Sequence, residues 1–153
     1  MRCINACSRS DDPRGKALSN FSAHSFEVDG VQFATVEAFL QGIKFPEDDP
    51  RRAEVFAMSG YLAWKMRVHS KAEYVWWNGE RIVYNSKAHA ALLRRAIEAK
   101  FAQNPDALEA LKNTKGLEII HDTGGSGESD KTSLRAVVFC QILTDIRDRA
   151  LSE

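Results

Sequence analysis

The chain of 153 residues lacks the sequence features of several large protein classes. It has no run of about 18 apolar residues, which excludes a membrane-spanning helix. Residues 1–12 contain no apolar segment, so we expect no secretory signal. The cysteines Cys3, Cys7 and Cys140 are odd in number and fit no zinc spacing. We therefore expect reduced thiols and a cytoplasmic location.

The chain also lacks net charge and the common catalytic motifs. Its 21 basic side chains match 21 acidic ones, which argues against a protein that coats DNA. Phosphate-binding, dinucleotide-binding, zinc-protease and serine-hydrolase motifs are absent. The four histidines are far apart in sequence, with no ligand spacing. We expect no bound metal and no cofactor.

The neutral total hides an uneven distribution of charge. Residues 1–50 carry a net charge of −3, residues 51–100 carry +6, and residues 101–153 carry −3. All three tryptophans and all three tyrosines lie between Tyr61 and Tyr84. A basic and aromatic segment suits a flat ring with an anionic group, such as a nucleotide. Tryptophan and tyrosine are equally common as core residues with a polar end.

Local signals predict an α+β fold: one mostly helical domain over residues 1–153 with two small β-hairpins. The hairpins are centred on Asp29-Gly30 and Asn78-Gly79, because these pairs favour tight two-residue turns. No succession of parallel strands and helices supports a doubly wound sheet. Helices are predicted after four N-terminal signals, which lie at Thr35, Asp49-Pro50, Ser86 and Pro105.

The pattern is weaker at the two ends of the chain. Residues 8–16 are predicted to be a polar loop, and residues 123–131 a loop rich in glycine and serine. A final helix is predicted to begin at Thr132 or Ser133. Short strands are predicted at residues 4–7 and 117–121.

One helix carries a polar stripe beside its apolar face. Glu37, Gln41 and Lys44 are spaced i, i+4, i+7, so Glu37 and Lys44 share a face about 10 Å apart along the axis. A solvated Glu–Lys pair gives the same spacing. Glu37 follows Thr35 by two residues, not three, so it is not the acid of a capping box, which favours a functional role.

The order of several short motifs resembles the NADAR superfamily. The first block contains a Leu-Ser-Asn-Phe segment, a short hairpin, and the helical pairs Thr-x-Glu and Gln-x-x-Lys-Phe. The later blocks are an Ala-Lys-Phe-Ala-Gln segment and two helices. These segments occupy residues 18–21, 28–30, 35–38, 41–45, 99–104, 108–114 and 142–147. The resemblance covers nearly the whole chain.

This resemblance implies a hydrolase of N-glycosidic bonds between a ribosyl phosphate unit and a base or amine. The family's substrates include pyrimidine intermediates of riboflavin synthesis and ADP-ribose attached to guanine in nucleic acid. The implied partner is therefore a small ribosyl phosphate or an ADP-ribosylated nucleobase, with modified nucleic acid as a further possibility and no membrane. The alternative is a non-catalytic module that binds ADP-ribose or a nucleotide in the same pocket.

The resemblance implies that Glu37 and Lys44 are catalytic. A carboxylate at Glu37 can stabilise positive charge at the anomeric carbon or position water. Lys44 can attack the opened sugar aldehyde to form a Schiff base, or bind phosphate. The expected substrate-binding residues are Asn20, Phe21, Gln41, Lys65, Trp77, Asp122 and Gly125.

Several of these assignments have an ordinary structural alternative. Phe21 also suits the core, and Lys65 and Arg67, which match a basic position of the family, also suit plain solvent exposure. Trp76 and Trp77 point to opposite faces of a strand, so only one of them can face the site.

The loop before the last helix departs from the family pattern. It lacks the family's tryptophan, and Val137 stands where the family has asparagine. Asp122 is expected to keep the role of the family's loop carboxylate, and the glycines, including Gly125, to let backbone N–H groups approach a phosphate. The altered loop leaves the substrate class open.

Overall fold

The computed structural model describes residues 2–125, 128–129 and 131–153, where short strands alternate with helices. Part of the predicted glycine-rich loop, Ser126, Gly127 and Asp130, lies outside the described residues. The elements are β1 (Cys3–Asn5), α1 (Pro13–Leu18), β2 (Phe26–Val28), β3 (Val31–Phe33), α2 (Val36–Gly42), α3 (Pro50–Phe56), α4 (Gly60–Lys65), a 3₁₀ helix (Met66–His69), β4 (Tyr74–Trp77), β5 (Glu80–Val83), α5 (Lys87–Gln103), α6 (Pro105–Lys112), β6 (Glu118–Ile120) and α7 (Ala136–Leu151).

The predicted α+β class and both hairpins are confirmed. β2 pairs with β3, and β4 with β5, both antiparallel. The residues of each turn have positive φ, 51° and 84° at Asp29 and Gly30, and 49° and 79° at Asn78 and Gly79. A third pair, β1 with β6, is parallel and joins the two ends of the chain. Sequence patterns did not predict this pairing, because it depends on contacts more than a hundred residues apart.

Residues 8–16 are not simply a loop, since α1 begins inside them. Asp12 is the N-cap and accepts a hydrogen bond from the N–H of Arg14 at 2.9 Å, and Pro13 follows as the first helical residue. This is the same signal as Asp49-Pro50, but α1 has six residues and no long apolar stripe. A Cβ at Gly15 would lie 2.1 Å from the carbonyl oxygen of Asn5, so only glycine lets α1 pack this closely on β1.

The last helix begins later than predicted. Its N-cap is Arg135, and the N–H of Ala136 donates to the carboxylate of Glu128 instead of to a local hydroxyl. Thr132 is not the cap because its hydroxyl accepts from the N–H of Ser129, within the loop. Residues 131–133 therefore belong to the connection before α7 and not to its first turn.

An aromatic cluster forms the centre of the core. Phe33 lies edge-on to both Phe39 and Phe56, with ring centroids 4.8 and 4.6 Å apart. Phe26 and Trp77 complete the cluster, with ring centroids 5.5 and 5.9 Å from that of Phe33. Helices α5 and α7 contribute nine further core side chains, namely Leu92, Leu93, Ala96, Ile97, Phe101, Phe139, Ile142, Leu143 and Ile146.

Helix α2 is surrounded by this core. All seven of its residues are buried, including the polar Glu37 and Gln41. The hydroxyl of Thr35 caps the helix by accepting from the N–H of Ala38 at 3.0 Å, as predicted. A Cβ at Gly42 would lie 2.3 Å from the ring of Phe56, so glycine is required for the close packing of α2 on α3.

No helix within the described ranges is long and apolar enough to cross a membrane.

His89 is a fully buried titratable group on α5. Its Nδ1 accepts a hydrogen bond from the N–H of Asn85 at 2.9 Å, which requires the unprotonated nitrogen. Burial, with a smaller contribution from the charge of Lys44, lowers the pKa of His89 from 6.5 to about 4. As the pH falls from 6.5 to 4, this histidine therefore takes up a proton first in the unfolded chain and only at lower pH in the folded protein.

We predict that His89 makes the folded state acid-sensitive between pH 6.5 and pH 4. Its folded pKa is depressed, so its contribution to stability is complete above pH 6.5 and is lost as the pH falls toward 4. When the pH falls from 7 to 4.5, the free energy of unfolding should decrease in both proteins. The decrease in His89→Gln should be about 2–3 kcal/mol smaller than in the native protein. Urea unfolding at the two pH values measures both losses. Equal losses in the two proteins would contradict this assignment.

Candidate active site

A cleft of about 1180 Å³ opens on one side of the molecule, with the polar face of α2 at its floor. Glu37, Gln41 and Lys44 line this floor. The walls come from the segment before α2, from α4 with its 3₁₀ extension, and from the connections that precede α7. The described lining residues of the walls include Ser19, Asn20, Phe21, Tyr61, Trp64, Arg67, Val68, His121, Thr123, Gly125, Ser129, Lys131, Thr132, Ser133 and Leu134.

Glu37 is a nearly buried carboxylate, with 6% of its surface exposed. Its Oε2 accepts a hydrogen bond from Nε2 of Gln41 at 2.7 Å, one helical turn further on. Burial raises the pKa of Glu37, while this hydrogen bond and the nearby charges of Lys44 and Arg67 act in the opposite direction. The carboxyl of Glu37 therefore keeps its proton to a higher pH than the carboxyl of an exposed glutamate does.

Two amide oxygens at the floor of the cleft lack a donor. Oδ1 of Asn20 and Oε1 of Gln41 are buried, and neither has a hydrogen-bond partner among the residues described. The carboxylate of Glu37 can only accept, which fixes the Gln41 side chain with its NH₂ toward Glu37 and its oxygen free. Buried acceptors without partners are costly, so both oxygens are suited to receive hydroxyl or N–H groups of a ligand.

The loop that carries Asn20 is held from two sides. The N–H of Glu37 donates to the carbonyl of Asn20 at 3.0 Å, which ties the loop to the first turn of α2. From α5, Nζ of Lys100 donates to the carbonyl of Ser19 at 2.9 Å. Burial lowers the pKa of Lys100 to about 7. Lys100 lies in the Ala-Lys-Phe-Ala-Gln block of the sequence, but no local pattern indicates its contact with this loop.

Lys44 follows the end of α2 in a tight turn that neighbouring elements hold in place. The carbonyl of Ile43 accepts from the N–H of Trp76 at 2.9 Å, which anchors the turn on β4. The carbonyl of Phe45 accepts from the guanidinium of Arg52 at 2.8 Å. Arg52, which sequence reasoning missed, also donates to the carbonyl of Trp76 at 2.9 Å. The backbone on both sides of Lys44 is therefore fixed.

The side chain of Lys44 is 9% exposed and points over an aromatic ring. Its Nζ lies 5.6 Å from the ring centroid of Tyr84, a residue that sequence reasoning also missed. Burial lowers the pKa of Lys44, and the charge of Arg67 acts in the same direction, whereas Glu37 raises it. A lysine with a lowered pKa has a larger neutral, nucleophilic fraction than an exposed lysine.

One wall of the cleft is aromatic and basic. The rings of Tyr61 and Trp64 stack at 6.1 Å with an angle of 25° between their planes. The guanidinium of Arg67 lies 3.6 Å from the ring centroid of Trp64. These residues are exposed, and all three line the cleft. The arrangement can receive a flat ring together with an anionic group.

The structure brings most of the predicted site residues to one cleft. Asn20, Phe21, Gln41 and Gly125 line it together with the two predicted catalytic residues. A Cβ at Gly60 would lie 2.6 Å from Cα of Phe21, so glycine at the start of α4 lets Phe21 take its place in the wall.

Lys65, predicted to bind substrate, is not among the described residues that line the cleft. Its Nζ lies 5.5 Å from the ring centroid of Tyr61 on the exposed side of α4. Arg67, two residues further on, is the basic residue of this stretch that lines the cleft.

Trp77, predicted to bind substrate, is 6% exposed and belongs to the core. It packs on Phe33 and Phe39, and its indole N–H donates to Asp29 at 2.8 Å. The alternation of side chains along β4 was predicted, but the pattern did not show which face of the strand meets the core.

Asp122, also predicted to bind substrate, is exposed. It lies between His121 and Thr123, which line the cleft, but is not itself part of the lining. Its carboxylate accepts from the N–H of Gly124 at 2.9 Å, and its backbone exchanges two hydrogen bonds with the side chain of Asn5. The carboxylate therefore stabilises the turn of the loop.

Comparison with known proteins shows that this chain has the fold of the NADAR superfamily. The solved NMR structure of YbiA from E. coli, a NADAR-fold protein, superimposes with a TM-score of 0.67 at 20% sequence identity. The match covers 93% of this chain and 81% of YbiA. At this identity the likeness concerns the fold.

Within that superfamily, the chain belongs to the family described as Bacteriophage protein GP30.3, whose model matches residues 14–148. An "uncharacterized 17.1 kDa protein" from the Gp30–rIII intergenic region of enterobacteria phage T4 is 32% identical over 136 residues. These residues are 86% of this chain and 89% of the phage T4 protein.

The core position of Trp77 yields a stability prediction. Trp77→Phe removes the hydrogen bond to Asp29 and leaves part of a packed site empty, so it should lower the free energy of unfolding by about 1–3 kcal/mol. Urea unfolding measures this loss.

The neighbouring tryptophan supplies the matched control. Trp76→Phe alters a half-buried side chain on the opposite face of β4 and should cost less than half as much. If the two variants are equally stable, Trp77 does not have the packing role described here.

Proposed function

We propose that the protein is an N-glycosidase that hydrolyses the bond between a ribosyl phosphate or ADP-ribosyl unit and a base or amine. The observation that carries the proposal is the pair of Glu37 and Lys44, nearly buried and close enough to shift each other's pKa at the floor of a large cleft. Desolvated, mutually perturbed groups in a cleft are typical of active sites. Membership in the NADAR superfamily supports the same reaction.

In the proposed reaction, the glycosidic C–N bond breaks and its electron pair leaves with the nitrogen of the base. Positive charge develops at the anomeric carbon of the ribose. The carboxylate of Glu37 stabilises this charge or directs water to the carbon, and its low exposure strengthens the interaction. Water supplies the hydroxyl group of the sugar product and the proton that the departing nitrogen takes up.

Lys44 has two roles that suit its position. As the neutral amine it attacks the aldehyde of the opened sugar, and loss of water gives an imine that later hydrolyses. As the ammonium it binds a phosphate of the substrate. The lowered pKa of Lys44 favours the first role.

The amide oxygens without partners support a ribosyl group as the bound unit. Oδ1 of Asn20 and Oε1 of Gln41 both border the cleft near Glu37, and each can accept a hydrogen bond from a sugar hydroxyl. A ligand with adjacent hydroxyl groups would thus supply the donors that the described residues do not.

The aromatic and basic wall suits the base and the phosphate of the proposed substrate. Tyr61 and Trp64 offer exposed aromatic side chains for contact with a base, and Arg67 offers a cation for phosphate. We propose two substrate classes: a small ribosyl phosphate of a pyrimidine, and an ADP-ribosylated guanine, free or in nucleic acid. The cytoplasm is the proposed location, which the free thiols of all three cysteines support.

The test is release of free base from each substrate class. We expect the native protein to release base from an oligonucleotide that contains ADP-ribosylated guanine, or from the pyrimidine ribosyl phosphate. Mass spectrometry detects the released base. Glu37→Gln removes the charge and should lower kcat at least about 100-fold. Lys44→Ala should have a comparable effect and abolish the sugar adduct trapped by borohydride.

Two substitutions of the same chemical kind serve as controls. Glu54→Gln and Lys115→Ala change exposed side chains outside the lining of the cleft and should leave turnover unchanged. Native activity in Glu37→Gln and Lys44→Ala would overturn the mechanism. Tight binding of ADP-ribose with no base released from either substrate would identify the alternative, a non-catalytic binding module.

A further inference from the structure

Tyr84 contacts both the lysine of the candidate site and the wall on the other side of the cleft. It directly follows β5, where its N–H donates to the carbonyl of Glu73 at 3.0 Å. Its ring receives Nζ of Lys44 at 5.6 Å from the centroid. Its hydroxyl donates to the carbonyl of Lys131 at 2.6 Å. One side chain therefore connects Lys44 with Lys131, which lies 87 residues further along the chain.

The hydroxyl contact is made to the connection that precedes α7. Residues 131–134 line the cleft and belong to no helix or strand. Asn85 adds a weaker bond, from its side-chain amide to the carbonyl of Thr132 at 3.4 Å. The hairpin that ends at Tyr84 is therefore one of the supports of this wall.

The ring contact concerns the charge of Lys44. The face of an aromatic ring carries negative potential and favours a cation above it. Burial and the charge of Arg67 act against the ammonium, and Glu37 acts in its favour. The neighbouring His89, with its ring centroid 5.0 Å from that of Tyr84, has a pKa of about 4 and is neutral at pH 7. Tyr84 therefore joins Glu37 as a group that favours the charged lysine.

We propose that Tyr84 is a positioning residue of this site: its ring face holds the charged nitrogen of Lys44, and its hydroxyl sets the place of the wall at residues 131–133. The inference rests on the function proposed above. A protonated imine formed at Lys44 carries its positive charge on the same nitrogen, so the ring favours that state too. Burial raises the pKa of Tyr84, which keeps the phenol a hydrogen-bond donor.

Two substitutions separate the roles of the ring and the hydroxyl. Tyr84→Phe keeps the ring and should leave the pKa of Lys44 unchanged, while KM rises about three- to ten-fold because the wall loses its hydrogen bond. Tyr84→Leu removes both, so the pKa of Lys44 should fall by about half a pH unit. Tyr84→Met replaces the leucine variant if that variant does not fold.

The pKa of Lys44 is measured without substrate, from the ¹³Cε resonance of the protein labelled in lysine and assigned with Lys44→Arg. Tyr74 supplies the matched control, because its ring on the same hairpin receives Arg81 at 4.3 Å and does not line the cleft. Tyr74→Phe and Tyr74→Leu should change neither the pKa of Lys44 nor KM.

The outcomes distinguish this inference from the proposed function. An unchanged pKa of Lys44 in the Leu or Met variant overturns the role of the ring, and an unchanged KM in Tyr84→Phe overturns the role of the hydroxyl. Absence of base release by the native protein overturns the proposed function instead. In that case the affinity for ADP-ribose, in place of KM, tests the role of the Tyr84 hydroxyl. The pKa of Lys44 still tests the role of the Tyr84 ring.

Discussion

Glu37 and Lys44 are charged groups at positions where the protein leaves almost no contact with water. Removal of ionised groups from water is unfavourable, and here their mutual attraction and the Gln41 hydrogen bond offset only part of it. Such an arrangement persists only where the surrounding structure fixes it. The packing around α2 does so, since every residue of that helix is buried and Gly42 allows its close contact with Phe56.

The elements around the cleft hold Glu37 and Lys44 in place mainly by hydrogen bonds to the backbone beside them. At one end of α2, the N–H of Glu37 binds the Asn20 loop, which Lys100 holds from the opposite side. At the other end, Trp76 of β4 and Arg52 fix the turn that contains Lys44. Substrate groups would therefore meet a floor that is already organised, which lowers the entropy lost on binding and the reorganisation needed for reaction.

The parts of the fold that depend on neighbouring residues could be predicted from the sequence. Turn residues specified both hairpins, the Thr35 cap specified the start of α2, and helical spacing placed Glu37, Gln41 and Lys44 on one face. The parts that depend on distant residues could not. The parallel pairing of β1 with β6 and the side of β4 that enters the core follow from tertiary packing alone. The same holds for the contact of Tyr84 with Lys131, because no local pattern encodes it.

The central claim is that Glu37 is a desolvated carboxyl whose charge is coupled to that of Lys44. The most direct test is a pH titration of the side-chain carboxyl ¹³C resonance of Glu37 in the native protein and in Lys44→Met. The account predicts a native pKa above the ordinary value of 4.5 and a still higher pKa in the variant, because the variant lacks the attraction of the ammonium. A pKa of Glu37 at or below 4.5, or one that Lys44→Met leaves unchanged, would contradict it.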